Sequence, residues 1–130
     1  MILGAPAVML GQESHPTLHS IAVNSAELPS RTTPGGVVHA ILNGKSATTG
    51  YEIEAHATSL DPGKSPHSPH RHRHDEMFVV RAGTVEFTIN GAVHRLGPGS
   101  VAIAANNDEH GVKNIGTEVA EYVVIALGQG

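Results

Sequence analysis

The chain has 130 residues, a length that suits one domain burying roughly two-thirds of the surface its unfolded form exposes. Charged residues make up 15% and the formal net charge is −4, so neither a nucleic-acid footprint nor a basic surface for anionic membranes is present. The absence of cysteine excludes disulfides, thiolate nucleophiles, cysteine-ligated zinc and iron–sulfur clusters, and any bound metal must take nitrogen and oxygen ligands.

Residues 1–18 carry no sustained period and read as an N-terminal arm or edge strand. The apolar opening MILGAPAVML is far too short to span a bilayer; Ala5-Pro6-Ala7 loosely resembles an export cleavage site, but the cytoplasm is slightly favoured over export with a trimmed signal. His19 to Asn24 is expected as a short strand, and Val37 to Leu42 as a β-branched one closed by the turn dipeptide Asn43-Gly44. From Tyr51 to Leu60 the alternation is regular, with Glu52, Glu54, His56 and Thr58 on one face and Ile53, Ala55 and Ala57 on the other. Pro66 and Pro69 keep the next approach extended. Strands are then expected at Glu76–Arg81, Thr84–Asn90, Ala92–Leu96 and Ser100–Ala104, with Asn90-Gly91 as a hairpin turn. A polar loop from Ala105 to Glu109 delivers His110, and the last strand, Val119 to Leu127, is apolar on both faces. Short strands with turns every few residues and no helical period predict an all-β sandwich or barrel.

The stretch GKSPHSPHRHRHDEMFVVRAG, residues 63–83, carries the chemistry. Strand residues two apart share a face at about 6.5–7 Å, so His70 and His72 can converge on one ion while Arg71 and Arg73 point away. After three intervening residues a bend would bring in the carboxylate of Glu76. His110 would complete a set of three nitrogens and one oxygen that leaves coordination positions open for water or substrate, as a catalytic metal requires.

His70-x-His72-x3-Glu76-x6-Gly83 resembles the first motif of the cupin superfamily, and Gly91, Pro98-Gly99 and His110-x3-Asn114 resemble the second. Spacing departs slightly, with six rather than five residues between Gly63 and His70 and the second-motif Gly-Pro offset by one. The resemblance implies a cupin-type double-stranded β-helix, a jelly-roll barrel over residues 19–130 with motif 1 at about 63–83 and motif 2 at about 91–114. It also implies one divalent transition metal in the lumen (Mn, Fe, Zn, Ni or Cu) and a small-molecule substrate or ligand. Dioxygenase, isomerase or lyase chemistry would follow; the alternative is a non-catalytic module that binds or senses a small molecule or metal complex.

Glu76 is the first candidate for proton transfer and His56 the second, the face of His56 being either lumenal or solvated. His67 and His74 are expected as solvated rim residues, and His15, His19, His39 and His94 as surface or packing histidines. Asn114 should brace the turn behind His110. If Glu76 points inward, so do Phe78 and Val80, with Val85, Phe87 and Ile89 as neighbours, while Met77 and Val79 face outward. Outer apolar positions of this kind need a cover, and a homodimer is expected to supply it.

Overall fold

Period-two alternation builds nine strands within residues 15–128, the part of the chain that the computed structural model describes. In order they are β1 (Ser30–Thr33), β2 (Gly36–Lys45), β3 (Glu52–Leu60), β4 (Asp75–Ala82), β5 (Val85–Ile89), β6 (Ala92–Leu96), β7 (Val101–Ala104), β8 (His110–Asn114) and β9 (Ala120–Gly128). Six form a sheet in the order β1-β2-β3-β9-β4-β7, and three form a second in the order β6-β5-β8. All the strand pairs are antiparallel, which gives the two-sheet jelly roll that the strand pattern predicts. The one helical segment among the described residues is a 3-10 turn at Ser25–Glu27.

Side chains that alternate inward from the two sheets meet as one core. Leu60, Phe78, Val80, Tyr122 and Val124 come from the large sheet, and Val85, Phe87 and Val112 from the small one. Phe78 and Phe87 touch across the gap with ring centroids 4.7 Å apart. Burying each large side chain contributes about 1.5–3 kcal/mol, so these residues hold the sheets face to face. The inward facing of Phe78 and Val80 is as predicted, and Met77 and Val79 lie on the other face of β4, half-buried.

Four elements differ from expectation. His19–Asn24 pairs with nothing and leaves Ile21 and Val23 63% and 46% exposed, the last bond to the large sheet before it being that from Leu18 N to the Lys45 carbonyl. The predicted arm falls mostly on residues 1–14, outside the described residues. Asn43-Gly44 is no turn: β2 continues through it to Lys45 and pairs with β3, and Gly44 is buried, its α-carbon so close to Leu18 that an added Cβ would come within 3.1 Å of it. Two strands were not expected, β1 with its all-polar SRTT and β8, where His110 opens a strand instead of ending a loop.

Turns then fix where the site-bearing segments lie. Asn90 and Gly91 both take positive φ, 48° and 84°, as a two-residue hairpin requires. Gly83 also has positive φ, and an added Cβ there would lie 2.8 Å from the Ala120 backbone. Asn114 is fully buried; its Nδ2 donates to the Leu60 and Glu118 carbonyls at 2.9 and 2.8 Å, and its Oδ1 accepts from Gly116 N at 2.9 Å. It is the predicted brace. Asn114→Ala strands three backbone partners, the Leu60 carbonyl among them buried, and should cost about 1–3 kcal/mol in chemical denaturation; an unchanged midpoint would show the brace to be dispensable.

Candidate metal centre

Backbone pairing creates the site before any side chain does. His70 N donates to His110 O at 3.0 Å and His110 N donates to His70 O at 2.9 Å, an isolated bridge that joins the proline-rich approach to the start of β8. Gly111 lets that approach come close, since an added Cβ would lie 3.0 Å from the Pro69 ring. Further along, Asn107 N donates to His72 O at 2.6 Å, Arg71 to Asn107 O at 2.8 Å, and Asn106 N to the Asp75 carboxylate at 2.8 Å. Asn90 latches the same loop from the hairpin side by accepting from Glu109 N and donating to Asp108, each at 3.0 Å. Arg71 and Arg73 point into solvent, as expected.

The histidine rings converge as a result. Donor nitrogens of His70, His72 and His110 all lie within 4.8 Å of one another. Glu76 enters from β4, its Oε1 2.9 Å from His110 Nε2 and its Oε2 3.6 Å from His72 Nε2. Its neighbours in the sheet row are Ala126 and Ala104, whose small side chains leave room for the rings. The four predicted ligands are thus brought together.

Hydrogen-bond chemistry tests whether this set suits a cation. His110 Nδ1 lies 3.0 Å from the Asp108 carbonyl, which can only accept, so Nδ1 carries a proton and Nε2 is the nitrogen turned to the cluster. That nitrogen faces the Glu76 carboxylate. Two acceptors at this distance repel unless a proton or a metal ion lies between them, and both groups are buried. Burial, reinforced by His67, His72 and His110, pushes His70 down to about 4, and burial likewise lowers His72. Both rings are therefore neutral and free to ligate at physiological pH. Burial pushes Glu76 up, but His74, His72 and His110 outweigh it and hold the carboxyl below its ordinary range, so it is ionised. Neutral nitrogens and a charged oxygen fit a first-row divalent ion, with the Asp108 carbonyl orienting one ligand from behind.

The cluster forms one end of a cavity of about 410 Å³ between the sheets. Phe78, Val112 and Val124 make its wall apolar, and His56, Thr58 and Tyr122 add polar groups. His56, for which lumen and solvent were both open, lines the cavity; its Nδ1 lies 2.8 Å from Glu54 Oε2. The carboxylate can only accept, so Nδ1 carries a proton. Burial pushes the Tyr122 hydroxyl up to about 12, the Glu76 charge adding to the rise and Thr58 opposing it, so Tyr122 stays protonated. Arg31 and Thr33 of β1 also line the cavity. Sequence reading missed these three: Tyr122 sits in a strand apolar on both faces, and β1 has no apolar period to announce it.

His67 is exposed and stacks on His70 with centroids 3.8 Å apart, a rim position as expected. His74 departs from its predicted rim role: its side chain is only 17% exposed, and Nε2 lies 3.0 Å from Glu76 Oε2. The chain bends at Arg73-His74 and turns this ring back toward the carboxylate two residues on. His19 and His94 are exposed, while His39 is half-buried with Nδ1 lacking a hydrogen-bond partner, and His15 lies 3.6 Å from Glu52.

A family model described as "Cupin domain" matches residues 57–126. No curated protein matches the chain. Among solved structures, an RmlC-like cupin from Shewanella frigidimarina superposes with a TM-score of 0.70 at 16% identity, over 85% of this chain and 93% of that one. A predicted oxalate decarboxylase from Thermotoga maritima gives 0.68 at 20% identity, over 84% and 100%. KdgF from Halomonas sp. gives 0.63 at 22% identity, over 84% and 94%. Likeness at these identities shows the fold.

The converging lone pairs make a direct prediction. A divalent cobalt or zinc salt added to chelator-treated protein should raise its melting temperature by several degrees, since an ion at a hundredfold over its Kd stabilises by about 2.7 kcal/mol. His110→Ala should abolish most of that rise, and an equal rise in the variant would place the ion elsewhere.

Proposed function

The chain belongs to the cupin domain family, and on that premise we propose that it is a mononuclear metalloenzyme acting on a small organic substrate at the open coordination positions. The observation that carries this reading is the placement of the cluster: His70, His72, Glu76 and His110 stand at the end of a cavity whose wall also presents an oriented imidazole. An ion held there would supply Lewis acidity or, if redox-active, dioxygen activation. Dioxygenase-, isomerase- and lyase-type reactions all use that combination.

The chain's own groups divide the remaining work. Glu54 fixes the tautomer of His56, whose Nε2 accepts a proton from bound substrate. Glu76 shares its carboxylate between ligation and proton transfer. Tyr122, neutral and buried, hydrogen-bonds to a substrate oxygen, while Phe78, Val112 and Val124 exclude water from the reacting end. Arg31 forms no ion pair among the described residues and lines the same cavity. Its free positive charge favours a carboxylate-, enolate- or phenolate-bearing molecule small enough for about 410 Å³.

The apolar outer face of β4 and β7 supports association of two copies. Val101 and Ile103 are 53% and 56% exposed there, alongside Met77 and Val79 of the neighbouring strand. A homodimer covering this strip should give twice the chain mass in light scattering at micromolar concentration; a monomeric mass would count against it.

Activity is tested by oxygen uptake and product formation across a panel of enols, phenols and oxo-acids, with each metal reconstituted in turn. His56→Gln should lower turnover about 10²–10⁴-fold while metal content stays unchanged. Saturable substrate binding with no turnover on any metal would instead favour the non-catalytic binder.

A further inference from the structure

Glu76 faces imidazoles on two sides, and only one side opens on the large cavity. Its Oε1 is directed at His110, whereas its Oε2 lies 3.0 Å from His74 Nε2 and 3.6 Å from His72 Nε2. The donor atoms of His72, His74 and Glu76 all lie within 4.8 Å of one another, as compact a set as His70, His72 and His110. His72 belongs to both.

The second set has its own access. A separate pocket of about 300 Å³ reaches His72, His74 and Glu76 and is lined by the carboxylates of Glu52 and Glu54. Sheet register explains the space: Glu52 and Glu54 pair with Gly128 and Ala126 of β9, and Ala126 pairs in turn with Glu76. Glycine and alanine thus separate the two acidic strands and keep the gap between them open. Gly128 also seats His74, because an added Cβ would lie 3.1 Å from that of His74. Three carboxylates line the pocket with the imidazoles of His15, His72 and His74, His15 lying 3.6 Å from Glu52, and this set makes it attractive to cations and unfavourable to the anions that suit the lumen.

We propose that His74 gives the centre a second, alternate cation seat, formed with His72 and Glu76 and opening on the Glu52–Glu54 pocket. Because the two seats share His72 and Glu76, they hold one ion between them. In the first the ion faces the lumen; in the second it is withdrawn from it and accessible from the acidic side. The proposal rests on the reading of the lumenal cluster as a metal centre.

Calorimetric titration with cobalt(II), read together with the visible absorption of the bound ion, tests it on the full chain. Wild type should bind one ion per chain. His70→Ala should still bind one, about 10- to 100-fold more weakly and with a changed absorption spectrum. His70→Ala/His74→Ala should lose a further tenfold or more. His74→Gln in the His70→Ala background should behave like the double alanine variant, and circular dichroism melting of each variant confirms that it is folded. Equal affinity and identical spectra for His70→Ala and the folded double variant would overturn the second seat while leaving the lumenal centre standing. Two ions per wild-type chain would overturn the sharing of His72, and no ion in wild type would overturn the metal centre itself.

Discussion

The two backbone hydrogen bonds between His70 and His110 are the constraint on which the rest depends. Each residue carries an imidazole, and neither segment contains a complete ligand set on its own. The bridge sets the rings 5.1 Å apart, centroid to centroid, and everything nearby reinforces it. Gly111 admits Pro69, Asn90 latches the loop before His110, and Asn114 anchors the far end of β8 under Leu60. Remove the pairing and the histidine tract becomes a solvated chelating run. Keep it, and imidazole nitrogens converge on one another and on a carboxylate.

That convergence of ligating groups in a buried setting is why the cluster reads as a site instead of a packing accident. Ordinary burial would pair each polar group with a donor of its own. In this protein His110 Nδ1 meets the Asp108 carbonyl, and its other nitrogen meets Glu76. His70 is held neutral by burial and by its histidine neighbours. The fold thus holds these groups together in a pocket formed by the two sheets, where the surrounding core of Phe78, Phe87 and Val112 keeps them in place. Small residues in the same row, Ala104 and Ala126, leave the volume that an ion and its remaining ligands need.

Much of this was legible in the residues. The alternation at Tyr51–Leu60 and the Asn90-Gly91 turn located their elements well, and the spacing of His70, His72 and Glu76 identified three proposed ligands. What escaped was local in sequence but non-local in cause. β1 has no apolar face, so only its pairing with β2 reveals it, and with it Arg31. β8 is too short and too polar to register as a strand. Asn43-Gly44 reads as a turn by composition, yet the N-terminal segment packs against Gly44 and the strand runs on. Tyr122 was hidden because β9 is apolar on both faces, and which face is inner follows only from its neighbours. His74 reads as a rim residue because it would share the facing of His72 only if the strand ran on through the bend; the bend before β4 instead turns its ring back to Glu76.

The account's central claim is that one ion draws ligands from both segments at once. Anomalous X-ray scattering from crystals of the wild-type chain loaded with cobalt, recorded at the metal edge, tests it most directly. The account predicts a single strong peak in each chain at bonding distance, about 2.0–2.2 Å, from nitrogens of His70, His72 and His110. A peak bound only by residues of the 67–76 stretch, or seated on the surface away from His110, would contradict it.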